Sequence, residues 1–272
     1  MTTGVGEVRQ THSVSDVCTV MLRFDPAAPW PILLAAVRDE FTGRAWDPPG
    51  PYWLAQPAVI GGRDRVGGGT WMAVDPTRTV VAALLNGVRL PALPGGETRP
   101  TRGTLVLAAL ADDLSTVDGA ERVPGIADAA ALARYDGFHL LRARLDRVEL
   151  WSWDGVELRY QHLAPGNHIV VNLGPDRDDD PLVPHFRPLL AATGEPPLLA
   201  GQSTPAAWGP WVDLMRGDGL DPTDERGLII EHDVEGRRYG STSASLVALG
   251  RHGDIRYDFT AMPATPDWYR VR

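Results

Sequence analysis

The chain has 272 residues, and its 43% hydrophobic and 22% charged content is that of an ordinary water-soluble globular protein. Its net charge of −9 argues against nucleic acid or an anionic membrane as the main partner, because both attract clustered positive charge. No apolar run is long enough to span a membrane, and the single cysteine excludes an internal disulfide, so we expect a cytoplasmic protein with no membrane insertion.

The N-terminal part divides into a polar arm and several short strands. Residues 1–17 are polar and aperiodic, which predicts a disordered arm, a propeptide or a mis-set start before a single domain over 18–272. The Val-, Ile- and Leu-rich runs 18–24 and 32–37 flank a turn-rich connection, so we expect adjacent antiparallel strands. A loop-dominated stretch over 43–70 comes next. Two further strands are predicted after it, TWMAV and TVVAALLN.

The middle of the chain changes from Ala- and Leu-rich segments to strands. The composition predicts helices over 104–114 and 125–135. Four short strands bounded by Asp, Asp-Gly and Pro-Gly turns follow them: FHLLRARLD, VELWSWD, GVELRYQHL and NHIVVNL.

The last third combines helical and strand patterns. Residues 181–192 are interrupted by prolines, so we expect only a short helix there. Apolar residues at i, i+3, i+4 and i+7 predict an amphipathic helix over 206–216, and they are Trp208, Trp211, Val212 and Met215. The final strands are GLIIEHD, STSASLVAL and DIRYDFT. Strands, helices and strands without a linker predict an α+β fold with helices packed outside the sheets.

The single cysteine, Cys18, stands at the start of the first predicted strand, and the second strand leads into Arg38, Asp39 and Glu40. A thiol with an arginine and a carboxylate delivered by the neighbouring strand is the arrangement that an N-terminal-nucleophile hydrolase requires. The structural alternative is that Cys18 is a small buried apolar residue and that Arg38 and Asp39 form a surface ion pair.

Several short motifs stand in the same order as in a known family. They are Cys18 with Phe24-Asp25-Pro26, Val37-Arg38-Asp39-Glu40, Gly68-Gly69-Thr70-Trp71, Asn86, DGF at 136–138, LAPG at 163–166 and the terminal YGSTSASLVAL. Together they resemble the NRDE family, also called the transport and Golgi organisation 2 family. The resemblance implies a four-layer αββα sandwich of two mainly antiparallel sheets flanked by helices, as in N-terminal-nucleophile hydrolases. Two positions depart from the family pattern, Val37 in place of Asn and Thr242 in place of Arg.

The resemblance also implies roles for individual residues. The Cys18 thiol would attack an amide or thioester carbonyl, with its own α-amino group as base, because that amine has a pKa of about 7.7–8.0. Arg38 would lower the pKa of the thiol, and Asp39 would orient the α-ammonium group. Donors to the oxyanion would come from Asn86 and Asn172. Substrate contacts are assigned to Trp71 and Thr242.

This chemistry requires Cys18 to be the first residue, because an amide nitrogen is not a base. Autoproteolysis between Val17 and Cys18 is one route. The other follows from the absence of lysine and the many Ala, Gly and Pro residues, which indicate a GC-rich bacterial gene. In such a gene Val17 would be a GTG start codon, and removal of the initiating methionine would expose Cys18.

Two interpretations without catalysis stay open. One is a ligand-binding or trafficking protein for haem or an acyl lipid, and the other is a degenerate pseudo-enzyme, since Val37 and Thr242 each remove a polar group from the site. In every case we expect a small-molecule amide, thioester or haem-like ligand, no nucleic acid partner and no resident cofactor or metal.

Three further patterns offer binding chemistry, although each has a simpler structural explanation. His162 and His168 are candidate metal or haem ligands on either side of a Pro-Gly turn. The acidic run Asp176, Asp178, Asp179 and Asp180 contains the ligand type of Ca²⁺ without EF-hand spacing, which favours a solvated loop. GGRDRVGGG lacks the order of a phosphate-binding loop, so a flexible loop at the rim of the site is expected.

Overall fold

The structure is a computed structural model that describes residues 18–111, 116–117 and 120–272. The predicted arm over residues 1–17 and the end of the first predicted helix, residues 112–114, lie outside the described residues. In chain order the elements are β1 (Thr19–Phe24), β2 (Ile32–Phe41), β3 (Trp46–Gly50), β4 (Ile60–Asp64), β5 (Met72–Asp75), β6 (Val80–Asn86), α1 (Gly103–Ala111), β7 (Thr116–Val117), β8 (Ala120–Glu121), α2 (Ala129–Leu132), β9 (Phe138–Ala143), β10 (Val148–Trp153), β11 (Leu158–Leu163), β12 (Gly166–Val171), β13 (Gly174–Pro175), α3 (Leu182–Ala192), α4 (Thr204–Trp208), α5 (Pro210–Leu214), β14 (Glu231–Val234), β15 (Arg237–Leu249), β16 (Ile255–Ala261) and β17 (Tyr269–Arg270).

The first large sheet has the order β13-β12-β1-β2-β15-β16-β17, with β14 also paired to β15. All of its ladders are antiparallel. The predicted pairing of the first two strands is confirmed, with Thr19 opposite Val37. Strands β1 and β2 therefore occupy the middle of this sheet, where residues at their ends are flanked on both sides.

The second large sheet has the order β11-β10-β9-β6-β5-β4-β3 and is also antiparallel. The predicted Asp-Gly hairpin joins β10 to β11, and Gly155 in this turn has a φ of 97°, a conformation that favours glycine. The two longest strands missing from the prediction are β3 and β4, both inside the expected loop over 43–70. The prolines of β3 and the glycines of β4 made both segments resemble loops, because strand propensity does not favour these residues. β3 tolerates its prolines because it is the edge strand of the sheet.

Three apolar clusters define four layers, as predicted. Alternate residues of both sheets meet in a central core, which includes Leu22, Leu34, Leu141 and Val247. The outer face of the first sheet packs on α3, α4 and α5. That of the second sheet packs on α1 and α2. Since period-two alternation assigns each strand residue to one face, sequence position decides whether a side chain lies between the sheets or beneath the helices.

The helices differ in length from their predictions. The predicted helix over 125–135 is reduced to Ala129–Leu132, whereas α3 runs for 11 residues with Pro188 inside it. The predicted helix over 206–216 breaks into α4 and α5 at Gly209, whose φ is 52°. The helical region of φ and ψ is disfavoured for the residue before a proline, and Pro210 has no N–H to continue the hydrogen bonds of the helix. The predicted apolar face is nevertheless buried, at Trp208, Trp211, Val212 and Met215.

Among the described residues, no helix has the length and apolar character needed to cross a membrane.

Candidate functional site

A row of polar side chains crosses the first sheet at one end of the sandwich. Continuing the β1–β2 register by one residue sets Cys18 opposite Arg38, and continuing the β1–β12 register by two sets it opposite Asn172. On the other side of β2, Arg38 lies opposite Ser243 of β15. Residues two or four positions along the same strands belong to the core between the sheets: Val20, Ala36, Val170 and Val247. Cys18, Arg38 and Ser243 therefore share that inner face, with adjacent members about 4.5–5.5 Å apart. Asn172 lies in the turn that follows β12, at the same end of the sheet and next to Cys18 in the extended register.

The Cys18 thiol is held in a poorly solvated position at the start of β1. Its Sγ lies 3.7 Å from the main-chain carbonyl oxygen of Asp39. Burial raises the pKa of the thiol to about 12, and the negative charge of Asp39 adds to this rise. Arg38 lowers the thiol pKa, as predicted, but its effect is smaller than that of burial. In this structure Arg38 alone does not make Cys18 a thiolate at neutral pH.

We expect this environment to govern the alkylation of Cys18 when the preceding residues are attached. The thiolate is the reactive form, so the rate with iodoacetamide should rise about tenfold per pH unit with no plateau below about pH 10. The measurement is a pH series of second-order rates, with Cys18→Ser as the control because the chain has one cysteine. A plateau near the ordinary thiol pKa of about 8.5 would contradict it.

Arg38 is fixed by contacts from three directions and is only 5% exposed. Its Nη1 donates to Oγ1 of Thr242 at 2.9 Å, and its Nη2 donates to Oε2 of Glu40 at 3.4 Å. The guanidinium carbon lies 4.5 Å from the centroid of the Trp71 ring. Burial lowers the pKa of Arg38, and the Glu40 carboxylate opposes this shift. The predicted surface ion pair between Arg38 and Asp39 is not formed, because alternation sends their side chains to opposite faces of β2.

Trp71 reaches Arg38 because a glycine makes room for it. A Cβ on Gly62 would lie 2.2 Å from Cη2 of Trp71, so a larger residue in β4 would displace the indole. Trp46 supports the same ring edge-on, with ring centroids 5.6 Å apart. Trp71, predicted to contact substrate, thus also forms the platform on which the Arg38 guanidinium rests.

A β-bulge in β15 places one hydroxyl on Arg38 and another on Asp39. Ser241 lies opposite Asp39 and Ser243 lies opposite Arg38, so Thr242 is the extra residue. Ser241 donates to Oδ1 of Asp39 at 2.5 Å and accepts from the Ile230 N–H at 3.0 Å. Thr242 accepts from Arg38 Nη1 and donates to the Arg38 carbonyl oxygen at 3.1 Å. Thr242, which we predicted to bind substrate, is engaged with Arg38.

We expect Thr242→Val to lower the free energy of unfolding by about 1–3 kcal/mol, because it removes both hydrogen bonds to Arg38 at a buried position. Thr242→Ser keeps the hydroxyl and should cost less than about 1 kcal/mol. Urea unfolding followed by tryptophan fluorescence measures both. A loss in Thr242→Val no larger than that in Thr242→Ser would show that the hydroxyl contributes no more to stability than the threonine methyl group does.

Asn172 and Ser243 carry buried polar atoms that have no hydrogen-bond partner in the described part of the chain. Oδ1 of Asn172 and Oγ of Ser243 have almost no solvent contact, and no described residue hydrogen-bonds to either atom. A rotation about χ2 exchanges the amide oxygen and nitrogen of Asn172 at the same position, so the side chain can also present a donor there. The Asn172 amide next to Cys18 and the Ser243 hydroxyl next to Arg38 can therefore each form a further hydrogen bond.

The structure does not bring Asn86 into this row. Asn86 ends β6 at the same end of the sandwich, opposite Phe138 of β9. Alternation places it with Leu84 and Phe138 on the face that packs beneath α1. A side chain on that face cannot donate to an oxyanion formed between the sheets, so its predicted role has no geometric support.

His139 was not singled out by sequence reasoning but belongs to the site. It lies in β9 of the second sheet, and its Nε2 is 3.0 Å from the Asn172 carbonyl oxygen. Its Nδ1 is 2.8 Å from Oγ of Ser152 on the neighbouring strand β10. The signal available in the sequence was a pair of polar residues, His139 and Ser152, at inward positions of β9 and β10 that are otherwise apolar.

The two histidines considered as metal or haem ligands are engaged in hydrogen bonds. His168 contacts Oδ2 of Asp176 at 2.7 Å and the Ala164 carbonyl oxygen at 2.8 Å, and the Asp176 contact raises its pKa. Nε2 of His162 lies 2.8 Å from the hydroxyl of Tyr160. Among the described residues, no group of three or more His, Cys, Asp or Glu side chains is arranged to hold a metal ion.

The side chains of the acidic loop form ion pairs and a hydrogen bond to the main chain. Asp178 pairs with Arg187 at 2.5 Å, and Asp179 pairs with Arg177 at 2.5 Å. Asp180 accepts from the Leu182 N–H at 3.0 Å at the start of α3. These separate contacts agree with the predicted solvated loop.

Comparison with known proteins bears on the chain as a whole. Residues 17–183, well over half of the chain, match the family model described as Transport and Golgi organisation 2. The matched segment includes Cys18, Arg38 and Asn172 and ends before β15. No curated protein matches the chain. The resemblance inferred from the ordered motifs is therefore confirmed, and the chain belongs to the Transport and Golgi organisation 2 family.

Proposed function

We propose that the protein is a cysteine hydrolase of the N-terminal-nucleophile type, acting on a small amide or thioester with Cys18 as nucleophile. The observation that carries the proposal is the register that sets Cys18 between Arg38, on the inner face of the first sheet, and Asn172, in the turn that follows β12. It sets a thiol between a fixed cation and an amide whose buried oxygen has no partner among the described residues.

The raised pKa of the thiol supports the need for the α-amine. A thiol with a pKa of about 12 is almost entirely protonated at neutral pH, so it needs a base next to it. The α-amino group of a first-residue cysteine, with an ordinary pKa of about 7.7–8.0, provides that base without a histidine. Arg38 then stabilises the thiolate that forms. A reducing cytoplasm suits this chemistry because it keeps a lone thiol free.

The proposed reaction has two stages. The α-amine takes the thiol proton, and the sulfur attacks the substrate carbonyl carbon to give a tetrahedral oxyanion, which Asn172 stabilises by donating from its amide. The oxyanion collapses, the bond to the leaving nitrogen or sulfur breaks, and the ammonium returns the proton to the leaving group. Water then hydrolyses the thioester on Cys18, with the amine again acting as base.

The decisive experiment compares two forms of the chain that differ only in the residue before Cys18. One form begins with Met-Cys18, so that methionine removal exposes the α-amine, and the other carries one alanine before Cys18. We expect p-nitrophenyl acetate or an acyl thioester to acylate the first form about 10²–10⁴-fold faster, the usual contribution of general base catalysis. Cys18→Ser in the first form controls for acylation elsewhere on the chain.

Either of two results would overturn the proposal. Equal acylation of both forms would show that the amine is not the base. A first form that is alkylated at Cys18 but never acylated would show a reactive thiol without hydrolase chemistry. Mass spectrometry of the N-terminal peptide of the endogenous protein then establishes whether the cell makes the form that begins at Cys18.

A non-catalytic ligand-binding protein for haem or an acyl lipid is the second candidate. Two observations favour it, the high pKa of the thiol and the presence of Thr242 where the family pattern has an arginine. Titration with haem or an acyl thioester, followed by absorbance or tryptophan fluorescence, would show saturable binding without turnover and unchanged by Cys18→Ser.

A further inference from the structure

The turn that carries Asn172 is closed by the Val171–Gly174 pair, but the peptide between Asn172 and Leu173 lies outside the ladder of its own sheet. Strands β12 and β13 form a tight hairpin in which Val171 lies opposite Gly174, so Asn172 and Leu173 are the two turn residues. Gly174 has a φ of 121°, which lets the chain reverse at this point. The ladder of the first sheet therefore ends at Val171, and the orientation of the Asn172 peptide depends on contacts from elsewhere.

His139 of the opposite sheet supplies such a contact. Its Nε2 lies 3.0 Å from the Asn172 carbonyl oxygen. A carbonyl oxygen can only accept, so this ring nitrogen carries the proton. Burial lowers the pKa of His139 and the positive charge of Arg177 adds to this shift, which favours the neutral ring. Nδ1 then accepts from the hydroxyl of Ser152 at 2.8 Å, and that hydrogen bond selects the tautomer.

We propose that His139 is a positioning residue for the reaction at Cys18. By binding the main-chain carbonyl of Asn172 from the second sheet, it fixes the hairpin turn and keeps the Asn172 amide beside the thiol. This inference rests on the proposed hydrolase function. It assigns His139 no contact with substrate, and it makes the spacing of the two sheets part of the site geometry.

The test compares two reactions of Cys18 in the form of the chain that begins at Cys18. Acylation by p-nitrophenyl acetate passes through a tetrahedral oxyanion: the sulfur bonds to the acetyl carbon, the ester C–O bond breaks and p-nitrophenolate leaves. Alkylation by iodoacetamide is a direct displacement of iodide with no oxyanion. A residue that positions the oxyanion donor should change the first rate and leave the second unchanged.

We expect His139→Leu to lower the ratio of acylation to alkylation by about 10- to 100-fold, the effect of a displacement of about 1 Å. His139→Gln keeps an N–H donor of similar reach and should retain the ratio to within about threefold. Ser152→Ala keeps the ring but removes the hydroxyl that selects its tautomer, and should give a smaller loss than His139→Leu. It also provides a variant with a milder change should His139→Leu fold poorly.

The outcomes separate the two proposals. An unchanged ratio in His139→Leu, or equal losses in the leucine and glutamine variants, would overturn the positioning role while leaving the hydrolase proposal intact. A parallel fall of both rates would assign His139 to packing alone and overturn it as well. Absence of acylation in the parent chain that is still alkylated would overturn the hydrolase function and this inference with it.

Discussion

Replacing Asp258 by alanine is expected to lower the free energy of unfolding by about 3–5 kcal/mol. Asp258 is completely buried in β16 and accepts from Nε of Arg256 at 2.7 Å, from the indole N–H of Trp208 at 2.8 Å and from the hydroxyl of Thr204 at 2.6 Å. Alanine would leave the Arg256 guanidinium, itself 2% exposed, without its counter-charge. It would also release α4 from the outer face of the first sheet.

The matched control is Asp213→Ala, which breaks a pair with Arg216 whose side chains are 70% and 64% exposed. Such a surface pair contributes about 0–1 kcal/mol. Guanidinium unfolding of both variants gives the comparison. If Asp258→Ala cost no more than Asp213→Ala, the buried network would not be what anchors α4.

The second large effect is expected at Asn172. In the form that begins at Cys18, Asn172→Leu should lower the rate of acylation by about 10²–10³-fold, the usual loss when one oxyanion donor is removed. Alkylation by iodoacetamide should stay within about threefold, since that reaction forms no oxyanion. Asn172→Asp has the same shape but places an acceptor and a negative charge beside the thiol, so it should lower both rates.

Single-turnover kinetics with the ester and with iodoacetamide measure the two rates. A leucine variant that loses both reactions equally would show that Asn172 supports the structure around Cys18 without acting on the oxyanion.

Much of this fold could be predicted because its strands are apolar and separated by turn residues. The hairpin of β1 and β2, the four strands from β9 to β12 and the final pair, β15 and β16, all carry that pattern. The errors have local causes. The edge strand β3 and its neighbour β4 contain the prolines and glycines of loops, and the Gly209-Pro210 pair interrupts an otherwise regular apolar period.

The site was only partly predictable, because its geometry depends on pairing between distant segments. Cys18, Arg38 and Trp71 were identified from ordered motifs, and the structure brings them together. The positions of Ser241 and Thr242 depend on a bulge that reverses the alternation of β15, for which a single sequence gives no clear sign. His139 contacts Asn172 across the two sheets, and no periodicity within a strand reports such a contact.

The prolines of β3 have a consequence for how molecules of this protein meet in solution. Strand β3 forms one edge of the second sheet, and two of its five residues, Pro48 and Pro49, have no N–H to donate. An exposed strand edge normally offers a template on which another chain can add a strand, the first step of many aggregates. This edge is short, and its prolines and the irregular register between Asp47 and Gly50 interrupt the regular row of donors that an added strand needs, so it resists such addition. The same prolines that hid the strand from prediction thus protect the protein against self-association along this edge.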